Sequence, residues 1–566
     1  MNNHLIILFV ILPMAAAIAT LLLHRWPQIQ LAIGSLLLTG NAVLAVTCLG
    51  TVCGWLGTGS HAAVGRILVS QMGNWPAPFG ITIAVDGLSA IMLAVQSIVC
   101  LAVYIYCVSQ LPRRYCGGYF HPLFHLLILG VQWSFITGDL FNLFVAFEIM
   151  LMASYAMFCI GTTAAQMRQA YKYVLLNLVG STLFVTCAGM LYGQLGTLNM
   201  ADITRIAMAG DIPSAAVPVI VMLLIVFGLK TAIFPLWYWL PDTYHTLPAA
   251  IGGLFAGLLT KVGAYVLIRV FVMMFGKAVW LDEAGNVVAH PVNDVVVPIL
   301  LVTAGITMFV GVLGAVSMHT VRRILSIHII SQVGYMIMGI GIALAAGIHH
   351  DAHLALAGAI FFIVHNMVVK CCLFLCGGLM AEHAGDDNLD RIGGLLRRAP
   401  WLATLFLIAA LSLAGLPPLS GFFGKFVLIR EGFSGGFFVV SILAIATSLL
   451  TLLSMLKIWS YGFWSPPQGR HVTHPNQRPR TAGGLAAIAL LVVFALSMGF
   501  GAQHYLDAST AAARTLIDPS HYVRAVLGPQ HVPEVRTAQH ETSPPQLARA
   551  RHSQVTPDRG RVGGSR

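Results

Sequence analysis

Charge is what this sequence has least of. Asp, Glu, Lys and Arg make up 9% of its 566 residues, against roughly 25% in an ordinary soluble domain. A water-soluble fold of this length has no means of covering its surface with so few charges. Long polar stretches are scarce as well. Apolar runs of about 18 residues or more recur along the chain, each long enough to cross a hydrocarbon layer about 30 Å thick. The expected class is therefore an all-α membrane protein. A membrane barrel is excluded, since it would show short segments of alternating polarity in place of continuous runs.

Other absences narrow the function. No Gly-rich phosphate loop follows a strand and no iron–sulfur spacing occurs, so neither nucleotide nor cluster chemistry is indicated. The ten Cys lack metal-ligand spacing, and Cys100, Cys187, Cys371, Cys372 and Cys376 fall inside apolar runs as small core residues do. No cofactor is expected, and the protein is not expected to be an enzyme. The net charge of +11 is not a nucleic-acid signal, because the basic residues sit in loops and the C-terminal tail, where topology and lipid headgroups account for them.

The apolar runs divide into about fourteen transmembrane helices: residues 4–23, 29–49, 82–105, 118–136, 139–160, 169–195, 215–241, 247–273, 294–317, 324–346, 353–380, 400–431, 436–461 and 481–502. The first has no small-residue cleavage site after it and reads as a retained helix. Alternate loops hold Arg25, Arg113, Arg114, Arg168, Arg322, Arg323, Arg391, Arg397, Arg398, Arg470, Arg478 and Arg480; the opposite loops hold Arg66, Arg205 and Lys277, with Arg430 near a helix end. By the positive-inside rule the first set is cytoplasmic, which leaves both termini outside.

Two spans are interrupted. The seventh contains Lys230 followed by Pro235; the twelfth contains Gly415, Pro417, Pro418 and Gly421, with Lys425 after them. Broken helices at corresponding places in two halves are the mark of an inverted-repeat transporter. The expected organisation is residues 1–117 with helices 1–3, a first five-helix repeat at 118–275, a second, inverted one at 294–461, and a last helix at 481–502. Residues 503–566, rich in Pro, His, Arg, Ser and Thr, are expected to be a polar, largely disordered tail that opens with a short amphipathic piece.

Ionisable side chains in the middle of apolar helices carry the functional signal. They are Glu148, Lys230 and Lys261 in the first half, and Lys370 and Lys425, with His365, in the second. Each charge near the bilayer centre costs about 2.5–3.5 kcal/mol even on the lenient scale. A fold keeps such groups when they pair, meet water or change protonation. Desolvation and ion pairing push a buried lysine in opposite directions, so a Glu148–Lys230 pair that opens and closes would act as a proton gate. Lys261 and Lys425 would be the next acceptors, with ordered water or His bridging the gaps. Lys172 and Arg269, nearer helix ends, are expected to snorkel to the headgroups. Asp86 and Asp139 are expected to start helices. No carboxylate cluster suits a sodium cage, so no metal ligand is assigned.

Several stretches resemble a known family. Residues 227–242 (FGLKTAIFPLWYWLPD), 256–265 (AGLLTKVGAY), 322–335 (RRILSIHIISQVGY) and 416–425 (LPPLSGFFGK) are similar to signatures of the antiporter-like subunits of respiratory complex I and of Mrp-type cation/proton antiporters. Residues 73–81, 138–148 and 240–248 resemble the D-type component of Mrp antiporters more than a complex I subunit. The resemblance implies that Glu148, Lys230, Lys261 and Lys425 are the family's functional residues of helices five, seven, eight and twelve. It also implies a bacterial inner-membrane protein that works in a hetero-oligomer with other Mrp subunits, on protons and Na⁺ or K⁺. The alternative it leaves is a membrane subunit of an NADH:quinone oxidoreductase-like or hydrogenase complex. His328 departs from the small polar residue expected in helix ten.

Overall fold

The computed structural model describes residues 3–54, 66–111, 118–160, 163–277, 280–281, 287–289, 291–346, 352–466 and 481–532. The C-terminal stretch 533–566, most of the expected tail, and the loop with Arg470, Arg478 and Arg480 lie outside the described residues.

The chain opens with a 3₁₀ turn and α1 (Leu8–Leu22), then α2 (Pro27–Val52), which begins with proline where no amide proton is needed. The third expected span starts later than its apolar run. Residues Thr82–Val85 are strand β2, paired antiparallel with β1 (Leu68–Gln71), and α3 (Gly87–Gln110) begins only after Asp86. The Asp86 carboxylate accepts from Ser89 N at 2.9 Å, so the helix starts where its first amides find a cap. Asp139 does the same for the helix that begins at Leu140, through Asn142 N, also at 2.9 Å. Both expected helix-start roles are present.

The first half continues with α4 (Phe120–Ile136), α5 (Leu140–Phe158), α6 (Ala164–Leu195), α7 (Met200–Ala209), α8 (Ala216–Thr231), α9 (Leu240–Tyr244) and α10 (Ala249–Leu267), which runs on as a π-helical segment to Met274. A short hairpin, β3 (Trp280–Leu281) with β4 (Val287–Ala289), precedes the second half. That half comprises α11 (Pro291–Ser317), α12 (Val321–Ala345), α13 (Ala352–Ala384), α14 (Leu395–Arg398), α15 (Pro400–Ala414), α16 (Ser420–Ser434) and α17 (Phe438–Trp459). Helices α18 (Thr481–Phe500), α19 (Ala502–Ile517) and α20 (Ser520–Leu527) end the described chain. The tail, expected to open with a short amphipathic piece, opens with two helices, Ala502–Ile517 and Ser520–Leu527, longer than that piece; Ala512, Ala513, Leu516, Tyr522 and Val523 are buried against the helices beneath.

Eleven of the described helices are long and apolar enough to cross a membrane, and three shorter apolar ones stand at the fourth, seventh and twelfth expected spans. The seventh and twelfth are short because each is broken. Helix α8 ends at Ala232, which takes the left-handed conformation (φ 64°), and the chain re-enters helix only at Leu240. Helix α15 ends at Gly415 (φ 90°), a conformation glycine adopts without strain, and α16 resumes at Ser420. A Cβ at Gly421 would overlap Ser412 O, so the two half-helices approach closely only because this residue is glycine.

Helices α10, α12 and α13 are enclosed through their central apolar stretches, whereas α2 and α6 keep large exposed apolar faces such as Leu36, Val43, Leu178 and Val179. In a bilayer those faces meet lipid. The enclosed helices form the core, with α13 packed against α3, α10, α12, α15, α16, α18 and α19.

Candidate functional site

The five mid-span ionisable residues lie on five helices, and the fold gathers them into its interior. Lys261 on α10 and Lys370 on α13 sit on two of the enclosed helices. Lys230, Lys261, Lys370 and Lys425 are all buried, and Lys370 is 0% exposed. Glu148 on α5 is partly buried. Gly130 makes its position possible: a Cβ there would overlap the backbone of Met150, so α4 lies directly against the turn of α5 that follows Glu148.

Glu148 and Lys230 are not in hydrogen-bonding contact. Lys230 Nζ donates to Ser181 Oγ at 3.1 Å and to Asn177 O at 3.3 Å, both on α6, and stands 5.9 Å from the centre of the Phe147 ring. Glu148 Oε1 is buried and accepts no hydrogen bond from the protein. The two residues expected to pair therefore stand apart in this structure. Lys230 also occupies the last turn of α8, where the carbonyl end of the helix dipole favours a cation.

Lys261 Nζ donates to Ala256 O at 2.5 Å and to Thr260 Oγ1 at 3.2 Å. Among the described residues Lys370 Nζ has no hydrogen-bond partner. Lys425 Nζ donates to Leu413 O and Ala414 O, each at 3.0 Å, and to Ser448 Oγ at 3.2 Å. Those carbonyls are the ones α15 leaves without intrahelical partners when it breaks. The break thus creates the socket for the lysine.

His365 is fully buried, with Nδ1 hydrogen-bonded to Ser420 Oγ at 2.9 Å and Nε2 unpartnered, and Ser420 Oγ lies 3.0 Å from Ser412 Oγ. It does not contact Lys370 by hydrogen bond. Its partner is the first residue of α16, so it connects to Lys425's helix and not to the lysine on its own.

Sequence reasoning misplaced Arg269. This side chain does not reach the headgroups. It is buried at the π-helical end of α10 and clasps Asp86 at both nitrogens, NH1 to Oδ2 at 2.6 Å and NH2 to Oδ1 at 2.5 Å. NH2 also donates to Ser89 Oγ at 2.7 Å, and Nε to Tyr265 OH at 2.8 Å. The partners are 183 positions apart in sequence, and no local signal joins them. Lys172, in the third turn of α6, is partly exposed, pairs with Asp242 at 3.2 Å and lies over the Tyr238 ring. Asp242 also takes Arg323 of α12 at 3.0 Å. Beside it, burial holds the His245 imidazole below its ordinary range, and its Nδ1–H donates to Pro241 O at 3.0 Å, which works the other way.

Among the described residues no group of three or more His, Cys, Asp or Glu is arranged to hold a metal ion. The arrangement does hold four buried amines and one partly buried carboxylate, groups that can bind and release protons.

The chain matches the family described as NADH:quinone oxidoreductase/Mrp antiporter, TM, over residues 137–451. It is 38% identical to the D component of the Na(+)/H(+) antiporter of Alkalihalophilus pseudofirmus, covering 93% of this chain and 99% of that one. It is 35% identical to the protein of the same name from Bacillus subtilis, with the same coverage. A chain in the structure of the Mrp complex from a Dietzia species superposes with a TM-score of 0.82 at 28% identity, over 93% of this chain and 99% of that one. A chain of respiratory complex I from Thermus thermophilus has the same fold, with a TM-score of 0.73 at 21% identity over 91% of this chain and 99% of that one.

Proposed function

Because the chain belongs to the NADH:quinone oxidoreductase/Mrp antiporter transmembrane family, we propose that it is the D-type component of a multisubunit monovalent cation/proton antiporter and carries protons along Glu148, Lys230, Lys261, Lys370 and Lys425. It is a multi-pass bacterial membrane protein that works with the other subunits of an Mrp complex, as a secondary transporter. Its spans form two five-helix repeats of opposite orientation, helices four to eight and nine to thirteen, each with one broken helix.

One observation carries the proton reading: Glu148 Oε1 and Lys370 Nζ are buried without protein partners, at positions flanked by further buried amines. A purely structural ion pair would lock both partners by hydrogen bonds, as Asp86 and Arg269 are locked. Unpartnered groups in a low-dielectric interior respond strongly to a neighbour's charge. When Glu148 closes on Lys230, that lysine holds its proton; when the pair opens, desolvation favours release toward Lys261. Protonation of Lys261 in turn opposes a charge on Lys370, and Lys370 opposes one on Lys425, so protons move as a coupled series and not independently. The membrane potential supplies about 2.3 kcal/mol per charge for each 100 mV. His365, bound to the first residue of α16, positions the start of the half-helix that holds Lys425.

The test uses the complete set of antiporter genes, expressed in a host without its own antiporters. Respiration acidifies inverted vesicles, and a pH-sensitive dye reports whether added Na⁺ or K⁺ collapses the gradient. Glu148→Ala and Lys230→Ala complexes, shown by blotting to assemble, are expected to lose that response. Variants that behave like wild type would sink the relay. A wild-type complex that answers neither cation would favour a redox-driven pump.

A further inference from the structure

Away from the relay, charge returns at the outer side of the membrane. Helix α18 follows the loop with Arg470, Arg478 and Arg480, which the positive-inside rule makes cytoplasmic, so its far end at Phe500 is the outer one. Helix α19 begins there, beside the start of α13 and the outer half of α16. We propose that the cavity between these three helices binds one aminophospholipid of the outer leaflet, with its phosphate on Arg430 and its primary ammonium on Asp507. The site lies outside the proton relay and does not depend on it.

Three helix faces make the cavity. Phe423, Val427 and Arg430 lie on one face of α16, four and three residues apart. Gln503, Leu506, Asp507 and Thr510 lie on one face of α19 by the same spacing rule. Leu354 and Ala357, one turn apart near the start of α13, complete the lining. The enclosed space is about 350 Å³, within the range of small-molecule sites. Helix α16 runs outward from its break, so Phe423 sits about 10 Å deeper than Arg430, seven residues away. The deeper wall is apolar, and Phe426 on the adjoining face of α16 is exposed, as a side chain that meets lipid is.

The rim carries charge of both signs. Arg430 gives Nε and Nη2 to Glu431 Oε1, at 2.9 and 2.7 Å, and Glu431 is buried, so the guanidinium is held in place. Its Nη1 makes no hydrogen bond among the described residues. Asp507 is exposed and has neither a hydrogen bond nor an ion pair among the described residues. The two residues line the same cavity and do not pair with each other.

A basic side chain near a helix end ordinarily reaches for the headgroup region, and Arg430 alone asks for nothing more. That habit does not explain a guanidinium and a carboxylate on one cavity, each with unused hydrogen-bonding capacity, above an apolar wall. Asp507 repels a simple anion and Arg430 a simple cation, whereas a zwitterion meets both. A guanidinium N–H is well matched to a phosphate oxygen. A carboxylate accepts a hydrogen bond only from an ammonium that bears a proton, which a choline headgroup lacks, and a glycerol headgroup has no cation at all. The ethanolamine type satisfies both ends. Its acyl chain fills the deeper apolar part, which a free amino acid would leave empty.

The experiment uses the complete antiporter complex in phosphatidylcholine vesicles that contain a trace of a photoactivatable phospholipid, with a diazirine in the upper part of one acyl chain. Probes with ethanolamine, choline and glycerol headgroups are compared, and labelled peptides are identified by mass spectrometry and counted per assembled complex. In wild type the ethanolamine probe is expected to label residues 423–430 and 502–510 about tenfold more than the other two, the value of one charge-assisted hydrogen bond. Asp507→Asn keeps an oxygen but not the charge, and should bring the ethanolamine probe down to the choline level. Asp507→Lys should move the preference to the anionic glycerol probe. Both substitutions are at an exposed position and are expected to assemble, which blotting checks. Equal labelling by all three probes in wild type would mean ordinary boundary lipid and would overturn the proposal. So would an ethanolamine preference that survives both substitutions, because Asp507 would then not read the ammonium. Absence of label from every probe would show that something other than lipid, a neighbouring subunit for instance, closes the cavity, and the proposal would fall.

Discussion

The backbone N–H of Phe234 donates to Thr307 Oγ1 at 2.9 Å. Phe234 lies in the gap between α8 and α9, next to the Lys230 helix end, and Thr307 belongs to α11 of the other half. An amide freed by the helix break in one half is therefore satisfied by a side chain from the second. Thr307→Val removes the acceptor at nearly constant volume and leaves that amide unpaired, a loss in the lower part of about 1–3 kcal/mol. The thermal midpoint of the purified complex should fall, and exchange should slow with it. Thr307→Ser, which retains the oxygen, should stay near wild type; equal midpoints for Val and Ser would contradict the assignment.

Asp86 and Arg269 are fully buried and held in two-pronged contact, so removal of one partner strands the other. Arg269→Met is expected to destabilise the protein by about 3–5 kcal/mol. Pairing it with Asp86→Asn, which removes the stranded charge but keeps an oxygen to cap α3, should recover much of the loss. Thermal unfolding of the single and double variants decides the matter, and additive losses would argue against a direct pair.

Lys370 offers the opposite case. Its amine is enclosed and unpartnered, so replacing it by an apolar residue of similar length removes a desolvation penalty. Lys370→Met should raise the thermal midpoint while abolishing cation-dependent proton exchange. Lower stability would mean that the amine has a partner that holds it.

Gly421 lies where any side chain would overlap Ser412 O, and the break of the twelfth span depends on that approach. Gly421→Ala should cost about 1–3 kcal/mol as overpacking and shift α16 away from α15. Lys425 would then lose its bonds to Leu413 O and Ala414 O. Exchange should fall together with stability, whereas Gly385→Ala, at an open left-handed position, should affect stability alone.

His245 makes stability depend on pH. Its imidazole is held below its ordinary value by burial, so the native state binds fewer protons than the unfolded one at mildly acidic pH. Its contribution is neutral above the unfolded value of about 6.5 and becomes destabilising as the pH drops below it. Thermal midpoints from about pH 7 to pH 5 should fall less steeply in His245→Gln than in wild type. Parallel slopes would show that this ring is not responsible.

Membrane class, helix positions and the two breaks could be read directly from the chain, because each depends on local sequence. Apolar length decides whether a segment can span a bilayer, and Pro and Gly decide where a helix must stop. The ionisable residues in mid-span were equally legible, since charge in hydrocarbon stands out against its neighbours. Even Asp86 and Asp139 declared themselves as helix starts by position alone. Where sequence and structure part is at contacts between distant segments. Arg269 looked like a lysine-type snorkel near a helix end and proved to be the partner of Asp86. Glu148 and Lys230 looked like a pair that opens and closes, and in this structure they stand apart, with Asn177 and Ser181 of α6 taking the lysine. His328 stood out only as an unexpected residue until Ser454 appeared beside it from α17. Periodicity says which face of a helix is polar but not which neighbour that face meets. That is settled by packing, where glycines such as Gly130 and Gly421 let backbones approach and so choose which buried groups come within reach of one another.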